Sequence, residues 1–212
     1  MVQTLSVDTH TSLLFFSTEG LAYKVKAWKI PEGSASSKGK SLFNILPLKN
    51  HQSISSIMPF PDEGIDKKNM HIIFATSKGK IRKNNLDDFT SINASGKIAM
   101  KLDSDDKIIG VKICTDNQDI MLNTKFGKCI RFESKKLRVF KGRSSKGIRG
   151  INLAEKDTIV SLSIIDNDDI KKIKSKTKDE KSEFKAKEKF ILSITENGYG
   201  KRTSHYDYRV TN

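Results

Sequence analysis

Four short segments of the sequence share one pattern, and this repetition constrains the fold more than any other feature. Each segment has a largely apolar run of four or five residues, then a Ser or Thr, two variable residues and a glycine. The segments are 13–20, 72–79, 120–127 and 190–198. Apolar runs this short, ended by turn residues, indicate buried β-strands, because helices usually need about ten or more residues. A glycine at a fixed place indicates a turn with positive φ, so the pattern predicts four β-hairpins.

A second glycine and a later isoleucine continue the same register. The second glycines follow the hairpin glycines by 19, 17 and 20 residues; they are Gly39, Gly96 and Gly147. Further strands are predicted to begin at Ile54, Ile108 and Ile159. Successive hairpin glycines are 59, 48 and 71 residues apart, which gives a unit of about fifty residues, in the range of propeller blades. The sequence therefore predicts an all-β, propeller-like fold.

The repeats divide the chain into four approximate units within a single domain, residues 1–212. The predicted blades are 1–50, 51–102, 103–153 and 154–212, the last of them incomplete. The longest spacing has a visible cause, since residues 167–189 hold nine Lys and six acidic residues. So charged a segment with few large apolar residues predicts a solvated loop between strands.

The positive charge of the chain is concentrated in corresponding parts of the repeats. The chain has 39 Lys and Arg against 25 Asp and Glu, a net charge of +14. Residues 20–40, 76–101 and 125–149 carry +4, +4 and +9, which leaves −3 for the rest of the chain. Each segment runs from a hairpin turn to the second glycine. If the units surround an axis, these parts form one basic belt, and such a belt is typical of proteins that bind nucleic-acid phosphates.

The candidate phosphate-binding residues are basic side chains of these segments and of the fourth hairpin. They are Lys24, Lys26, Lys38, Lys40, Lys78, Lys80, Arg82, Lys83, Lys97, Lys128, Arg131, Lys141, Arg143, Lys146, Arg149, Lys201 and Arg202. Four of them recur four residues after a hairpin glycine, namely Lys24, Lys83, Arg131 and Arg202. Base stacking is not predicted, because the aromatic residues nearby have the spacing and neighbours of packing residues. These are Tyr23, Trp28, Phe126, Phe132 and Phe140.

No catalytic, metal or cofactor site is predicted. The end of a phosphate-binding P-loop occurs at Gly39-Lys40-Ser41, but five residues instead of four separate Gly33 from Gly39. The four histidines are far apart, and the two cysteines form no Cys-x-x-Cys motif. No apolar stretch approaches the roughly 18 residues of a membrane-spanning helix. Binding of a polyanion remains the function that the composition favours.

Several motifs resemble the C-terminal domain of the bacterial DNA gyrase A protein. The most similar are the segment 120–132 and the segment 143–151, which contains Arg143-Ser144-Ser145-Lys146-Gly147. Residues 30–40, 44–48, 96–102 and 197–203 fit the same family. The resemblance covers nearly the whole chain except the Lys-rich insertion.

The resemblance implies a β-pinwheel of four-stranded blades, here an incomplete ring, that bends duplex DNA around a basic perimeter. In that family the module supports ATP-dependent negative supercoiling by a type II topoisomerase. Its partners are then double-stranded DNA, the remainder of gyrase A, and gyrase B. The cleavage tyrosine, ATP and Mg²⁺ belong to other parts of the complex, so this chain needs no cofactor, and the expected location is the bacterial cytoplasm.

Two departures from the family leave alternatives open. The six-bladed ring of the family needs more chain than 212 residues, and its glycine-rich box does not occur in the sequence. By family order this box is expected just before Met1. One alternative is the equivalent C-terminal domain of topoisomerase IV, and another is a basic propeller-like scaffold that binds an acidic protein.

Overall fold

The computed structural model describes residues 4–61, 64, 67–142, 145–167 and 188–211. Almost all of the predicted insertion, residues 168–187, lies outside these ranges, so the prediction of a loop there stays a prediction. Within these ranges the chain forms thirteen β-strands and five single-turn 3₁₀ helices, with no α-helix. No helix in the described ranges is long and apolar enough to cross a membrane.

The strands are short, and all pair antiparallel within four sheets. In chain order they are β1 Ser12–Ser17, β2 Leu21–Lys26, β3 Ile54–Phe60, β4 Met70–Thr76, β5 Lys80–Asn85, β6 Lys97–Ile98, β7 Ile108–Thr115, β8 Gln118–Thr124, β9 Cys129–Glu133, β10 Ile148–Arg149, β11 Ile159–Asp166, β12 Phe190–Ile194 and β13 Gly200–Ser204. The 3₁₀ helices are Ala27–Lys29, Leu42–Asn44, Leu86–Phe89, Ser134–Lys136 and His205–Asp207.

The sheets have the orders β3-β1-β2-β6, β10-β5-β4-β7, β11-β8-β9 and β12-β13. The four predicted hairpins are β1–β2, β4–β5, β8–β9 and β12–β13, and all four are confirmed. The strands predicted to begin at Ile54, Ile108 and Ile159 are β3, β7 and β11. The all-β, propeller-like fold and the incomplete ring are likewise confirmed. In the described ranges only the first two sheets have four strands.

The fourth strand of each complete sheet comes from the following unit. Strand β6 follows the second hairpin in sequence but pairs with β2 of the first, through Leu21–Ile98 and Ala22–Lys97. Strand β10 follows the third hairpin and pairs with β5 of the second. Each complete sheet therefore draws strands from more than one of the predicted segments, and the proposed boundaries between blades stay a prediction.

The repeated Ser/Thr and glycine form the same turn in all four hairpins. In each, the hydroxyl accepts a hydrogen bond from the backbone N–H four residues later, at 3.1–3.2 Å. The glycine N–H donates to the carbonyl of the same Ser or Thr, and every hairpin glycine has positive φ, between 79° and 89°. The sequence pattern is thus a turn signature, as predicted.

Apolar side chains on both faces of the central strands hold neighbouring sheets together. Leu14 and Phe16 of β1 pack against Phe74 of β4, with Phe16 and Phe74 in an edge-to-face contact at 5.4 Å. The opposite face of β4 packs in the same way against β8. Because these strands are buried on both faces, their sequences are nearly continuous apolar runs instead of alternating ones.

The far edges of the sheets define the inner and outer sides of the array. Strand β7 packs against β3 on one side and β11 on the other, so these three edge strands lie together on the inner side. Strands β6 and β10 form the opposite edges. We call these two strands, together with the edge of β9 and the loops that lead to them, the outer edge.

Gly20 allows the exchanged strand to approach the preceding hairpin closely. A Cβ atom at Gly20 would lie 2.1 Å from the carbonyl oxygen of Met100, just after β6. The Gly20 carbonyl in turn accepts hydrogen bonds from the N–H groups of Ala99 and Met100 at 2.8 and 3.2 Å. At Gly127 the corresponding space is open, with no atom within 4 Å.

A pair of alanine substitutions separates the conformational role of the turn glycine from its packing role. Gly127→Ala is expected to cost about 1–2 kcal/mol, because its φ of +83° disfavours any residue with a Cβ. Gly20→Ala has the same backbone cost and must also displace Met100. We expect an additional loss of at least about 2 kcal/mol, since two inter-unit hydrogen bonds are lost with the displacement. Urea unfolding of both variants measures the difference, and equal losses would contradict this role for Gly20.

Candidate nucleic-acid interface

Most of the predicted phosphate-binding residues are exposed, and several lie along the outer edge. The exposed ones are Lys26, Lys38, Lys40, Lys78, Lys128, Lys141, Lys146, Arg149, Lys201 and Arg202. Lys24, Lys80 and Lys97 are half-buried. Arg143 lies outside the described residues, so its role stays a prediction.

Three predicted phosphate-binding residues are buried, and the structure corrects their assignment. Arg82, Lys83 and Arg131 expose only 1%, 2% and 1% of their surface. Their charged groups contact carboxylates, amides and carbonyls of the protein interior, so a DNA backbone on the surface does not reach them. Their side chains fix the positions of neighbouring units instead.

Arg131 forms the most buried ion pair in the described part of the chain. Its Nε donates to Asp119 Oδ2 at 2.8 Å, and the Asp119 side chain is fully buried. Its Nη1 donates to the carbonyl of His205 in the next unit at 2.7 Å. Burial raises the pKa of Asp119 above its ordinary value, while the Arg131 guanidinium opposes that rise.

Lys83 occupies the equivalent position in the second hairpin. Its Nζ pairs with Asp116 and donates to the carbonyl of Ser134, the first residue of the next 3₁₀ helix, at 3.1 Å. Hydrogen bonding to Lys83 lowers the pKa of Asp116. His71 Nε2 lies 3.3 Å from the same carboxylate, and burial lowers the pKa of His71.

The basic residue four positions after each of the first three hairpin glycines therefore binds the following unit. Lys24 Nζ donates to the carbonyl of Thr90, which ends the 3₁₀ helix of the second unit, at 2.7 Å. Lys83 and Arg131 make the corresponding contacts to the third and fourth units. The Arg202 guanidinium lies 4.4 Å from the centre of the Phe190 ring in its own hairpin. Recurrence at this position reflects how the units are joined.

Arg82 holds the loop that carries several of the exposed cations. Its guanidinium donates to the carbonyl of Ser145 at 2.8 Å and to the carbonyl of Gly142. Asn84 Nδ2 donates to the carbonyl of Phe140 at 2.7 Å. These contacts fix the backbone of residues 140–142 and 145 from the interior side. The side chains of Lys141 and Lys146 therefore extend outward from an anchored backbone.

Two carboxylates partly neutralise the outer edge. Asp103 pairs with both Lys80 and Lys146, and Asp105 pairs with Lys78. Hydrogen bonds from Lys146 and Lys80 lower the pKa of Asp103 to about 2. The contribution of these pairs to stability is present above the ordinary pKa of an aspartate and is lost as the pH falls toward 2.

Sequence reasoning missed other exposed cations and misplaced two aromatic residues. Lys101, Lys135, Lys136 and Arg138 are also on the basic segments, and all four are exposed; the Arg138 guanidinium also lies over the Phe140 ring. Trp28 and Phe126, predicted to pack in the interior, are 58% and 59% exposed. The packing roles of Tyr23, Phe132 and Phe140 are confirmed, since Tyr23 and Phe140 are buried and Phe132 packs against the core.

The interlocked antiparallel sheets and exposed outer cations together define a β-pinwheel with a basic perimeter. A family model described as "DNA gyrase C-terminal domain, beta-propeller" matches residues 11–61, 71–115, 118–166 and 189–212. The chain belongs to this family. The match spans all four hairpins.

Curated relatives agree with this assignment. The DNA gyrase A protein of Rickettsia conorii is 40% identical over 232 residues, which covers 96% of this chain and 26% of that protein. The DNA gyrase A protein of Granulibacter bethesdensis is 35% identical over 252 residues, covering 100% and 27%. The chain thus spans about a quarter of the length of these relatives.

Two solved structures share the fold. The C-terminal domain of DNA topoisomerase IV superposes with a TM-score of 0.74 at 22% identity, covering 96% of this chain and 56% of the other. A DNA gyrase A C-terminal domain superposes with a TM-score of 0.70 at 23% identity, covering 97% and 58%. At these identities the two structures establish the fold alone.

Replacing buried Arg131 with a neutral residue is expected to lower the free energy of unfolding much more than replacing an exposed arginine. Arg131→Met leaves the Asp119 carboxylate buried without its partner, which is expected to cost about 3–5 kcal/mol. The control, Arg149→Met, removes an exposed charge and is expected to change stability by less than about 0.5 kcal/mol. Urea unfolding at neutral pH gives both values.

The pH dependence of the stability of Arg131→Met tests whether the Asp119 carboxylate is the group left without its partner. The folded-state pKa of Asp119 is raised, so its ionisation destabilises the fold above that pKa and protonation removes the penalty as the pH falls. Arg131→Met should therefore regain stability on acidification relative to Arg149→Met. If both variants are equally stable at every pH, the interior role of Arg131 is wrong.

Proposed function

We propose that this chain is a DNA-binding and DNA-wrapping module of DNA gyrase A. The observation that carries the proposal is the separation of two sets of cations. Arg82, Lys83 and Arg131 are buried and join the units, whereas Lys128, Lys141 and Arg149 extend into solvent at the outer edge. Membership in the gyrase C-terminal domain family supports the same conclusion.

Duplex phosphates suit this surface because the exposed cations are numerous and individually weak. Each cation that neutralises a phosphate releases condensed counterions, and the affinity then falls with the logarithm of salt concentration at a slope of about −0.9 per contact. Bending a site of 20–30 base pairs costs about 1–6 kcal/mol, so many contacts along a curved edge are needed to offset it. Contacts of this kind are independent of sequence.

Within the parent enzyme, we infer that the module presents bent DNA to a cleavage site on the rest of gyrase A. Strand cleavage and ATP hydrolysis with Mg²⁺ then belong to other regions and to gyrase B. No residue of this chain is assigned a catalytic role, and none is assigned to a cofactor. The expected setting is the bacterial cytoplasm, at the nucleoid.

Gyrase is preferred over topoisomerase IV because the curated relatives described above are gyrase proteins. Similarity to the topoisomerase IV domain is at 22% identity and concerns the fold alone. Preference for an acidic protein over duplex DNA would instead support the scaffold alternative.

Neutralising exposed cations on the outer edge tests the proposed interface. Lys128→Ala, Lys141→Ala and Arg149→Ala together are expected to weaken duplex binding and to reduce the salt slope by up to about 2.7. The control removes the same charge from the inner side and its adjoining loops, with Lys107→Ala, Lys112→Ala and Lys156→Ala. Fluorescence anisotropy with a labelled duplex measures both slopes. Equal losses for the two triple variants would mean that binding depends on net charge and not on the outer edge.

Removing a carboxylate that pairs with the exposed lysines should strengthen duplex binding. Asp103→Asn frees Lys80 and Lys146, whereas Asp105→Asn frees only Lys78 from its pair with that carboxylate. Both substitutions change the net charge equally, so net charge alone predicts equal gains in affinity. We expect duplex affinity and salt slope to rise more for Asp103→Asn. A smaller gain for Asp103→Asn than for Asp105→Asn would contradict a role for Lys80 and Lys146 in binding.

A further inference from the structure

A wide cleft opens at the outer edge between the first two units. Strand β6 covers only Leu21 and Ala22 of β2, so the rest of that edge, from Tyr23 to Lys26, lines the cleft. The loop 90–94 of the second unit closes one side, and parts of the segment 28–47 close the other. The cleft has a volume of about 1700 Å³. Pockets for small molecules usually measure about 300–1000 Å³, so the size suits a segment of a polymer.

The described residues that line the cleft include five lysines and no acidic residue. They are Lys24, Lys26, Lys29, Lys40 and Lys67. Lys26 is held in place by a hydrogen bond from its Nζ to the carbonyl of His10 at 2.9 Å, and Lys24 by its bond to Thr90. A cleft with this charge favours an anionic occupant.

Two large aromatic side chains are exposed in the same cleft. Trp28 is 58% exposed and Phe43 is 48% exposed, although the interior of the neighbouring sheet is tightly packed. Both residues line the cleft. Lys29 Nζ lies 5.4 Å from the Trp28 ring centre. An exposed aromatic ring beside a cation is the arrangement with which single-stranded nucleic acids are commonly bound.

The combination of lysines with exposed aromatic rings favours an unpaired nucleic-acid strand over other anions. A duplex keeps its base faces stacked inside, so it offers phosphates to the lysines but no planar face to Trp28 or Phe43. The carboxylates of an acidic peptide match the charge but likewise give nothing to the ring faces. An unpaired nucleotide supplies both a phosphate and a base, and bases stack on aromatic rings without regard to sequence.

We propose that the cleft binds single-stranded nucleic acid, with bases stacked on both Trp28 and Phe43 and phosphates on the surrounding lysines. This goes beyond binding of duplex DNA by the outer edge. It gives the module a second mode of contact, in which unpaired nucleotides are retained next to the wrapped duplex.

Trp28 is the only tryptophan in the chain, so its fluorescence reports directly on the cleft. Titration with an oligothymidylate of about 12 nucleotides should quench this fluorescence, since site sizes for such strands are about 4–16 nucleotides. An abasic oligomer of the same length and charge should bind more weakly and quench much less. Equal binding and quenching by the two oligomers would overturn stacking as the basis of the site.

Substitutions make the test independent of quenching. By anisotropy of a labelled oligothymidylate, Trp28→Ala is expected to lose about 5- to 150-fold in affinity, and Trp28→Phe much less. Tyr199→Ala removes an aromatic residue that is 77% exposed on the last hairpin, and should have no effect. Circular dichroism verifies that each variant is folded, and Phe43→Ala provides a second test within the cleft.

Measurements with duplex DNA and with poly-glutamate separate the cleft proposal from duplex wrapping and from binding of an acidic protein. Duplex affinity of Trp28→Ala should stay within about twofold of the parent, because stacking does not contribute to backbone contacts. If duplex binding is absent but the single strand still requires Trp28, the proposed wrapping fails and the cleft proposal stands. If Trp28→Ala binds the single strand as well as the parent, or if poly-glutamate binds the cleft more tightly than the oligomer, the proposal is wrong.

Discussion

The exchange of a strand between successive units is the interaction on which the rest of the structure depends. Strands β6 and β10 are only two residues long, so their own pairing contributes little. Other contacts between the units add to this pairing. Gly20 admits the backbone of the next unit without steric conflict, and Lys83 and Arg131 bind the 3₁₀ helices of the units that follow. A unit is therefore completed only by its successor, and the position of the outer edge follows from this order.

The basic residues divide into two sets with different physical roles. Interior cations lie next to carboxylates and carbonyls, and their burial is tolerated because each buried charge has a hydrogen-bonding partner. Replacing such a cation leaves its partner, such as the Asp119 carboxylate, buried without a counter-charge. Exterior cations are solvated, so their loss is expected to change stability little. Arg82 connects the two sets, since its buried guanidinium anchors the loop from which Lys141 and Lys146 extend.

The sequence was sufficient for the features that local chemistry determines. The hairpins, their glycines and the strand starts at Ile54, Ile108 and Ile159 follow from turn geometry and short apolar runs, and they are correct. The exchange of β6 and β10 was not predictable, because a two-residue strand has no periodicity and its partner lies in another unit. Recurrence of a basic residue after each hairpin glycine indicates one shared function, for which the sequence favours phosphate binding. For Lys83 and Arg131 the shared function is structural, since a charge count contains no information on the direction of a side chain. The exposure of Trp28 was not predictable either, because it lies in a cleft lined by residues of two units that are distant in the sequence.

The most direct test of DNA wrapping is the change in linking number when this protein binds nicked circular DNA that is then ligated. Duplex that follows a curved outer edge in one fixed direction should be trapped with a shift of constant sign, which grows with the ratio of protein to DNA. The shift should shrink when Lys128, Lys141 and Arg149 are replaced by alanine and persist when the inner-side lysines are replaced. Salt-dependent binding without any shift in linking number would contradict wrapping, because it would show that the basic edge binds DNA without bending it around the protein.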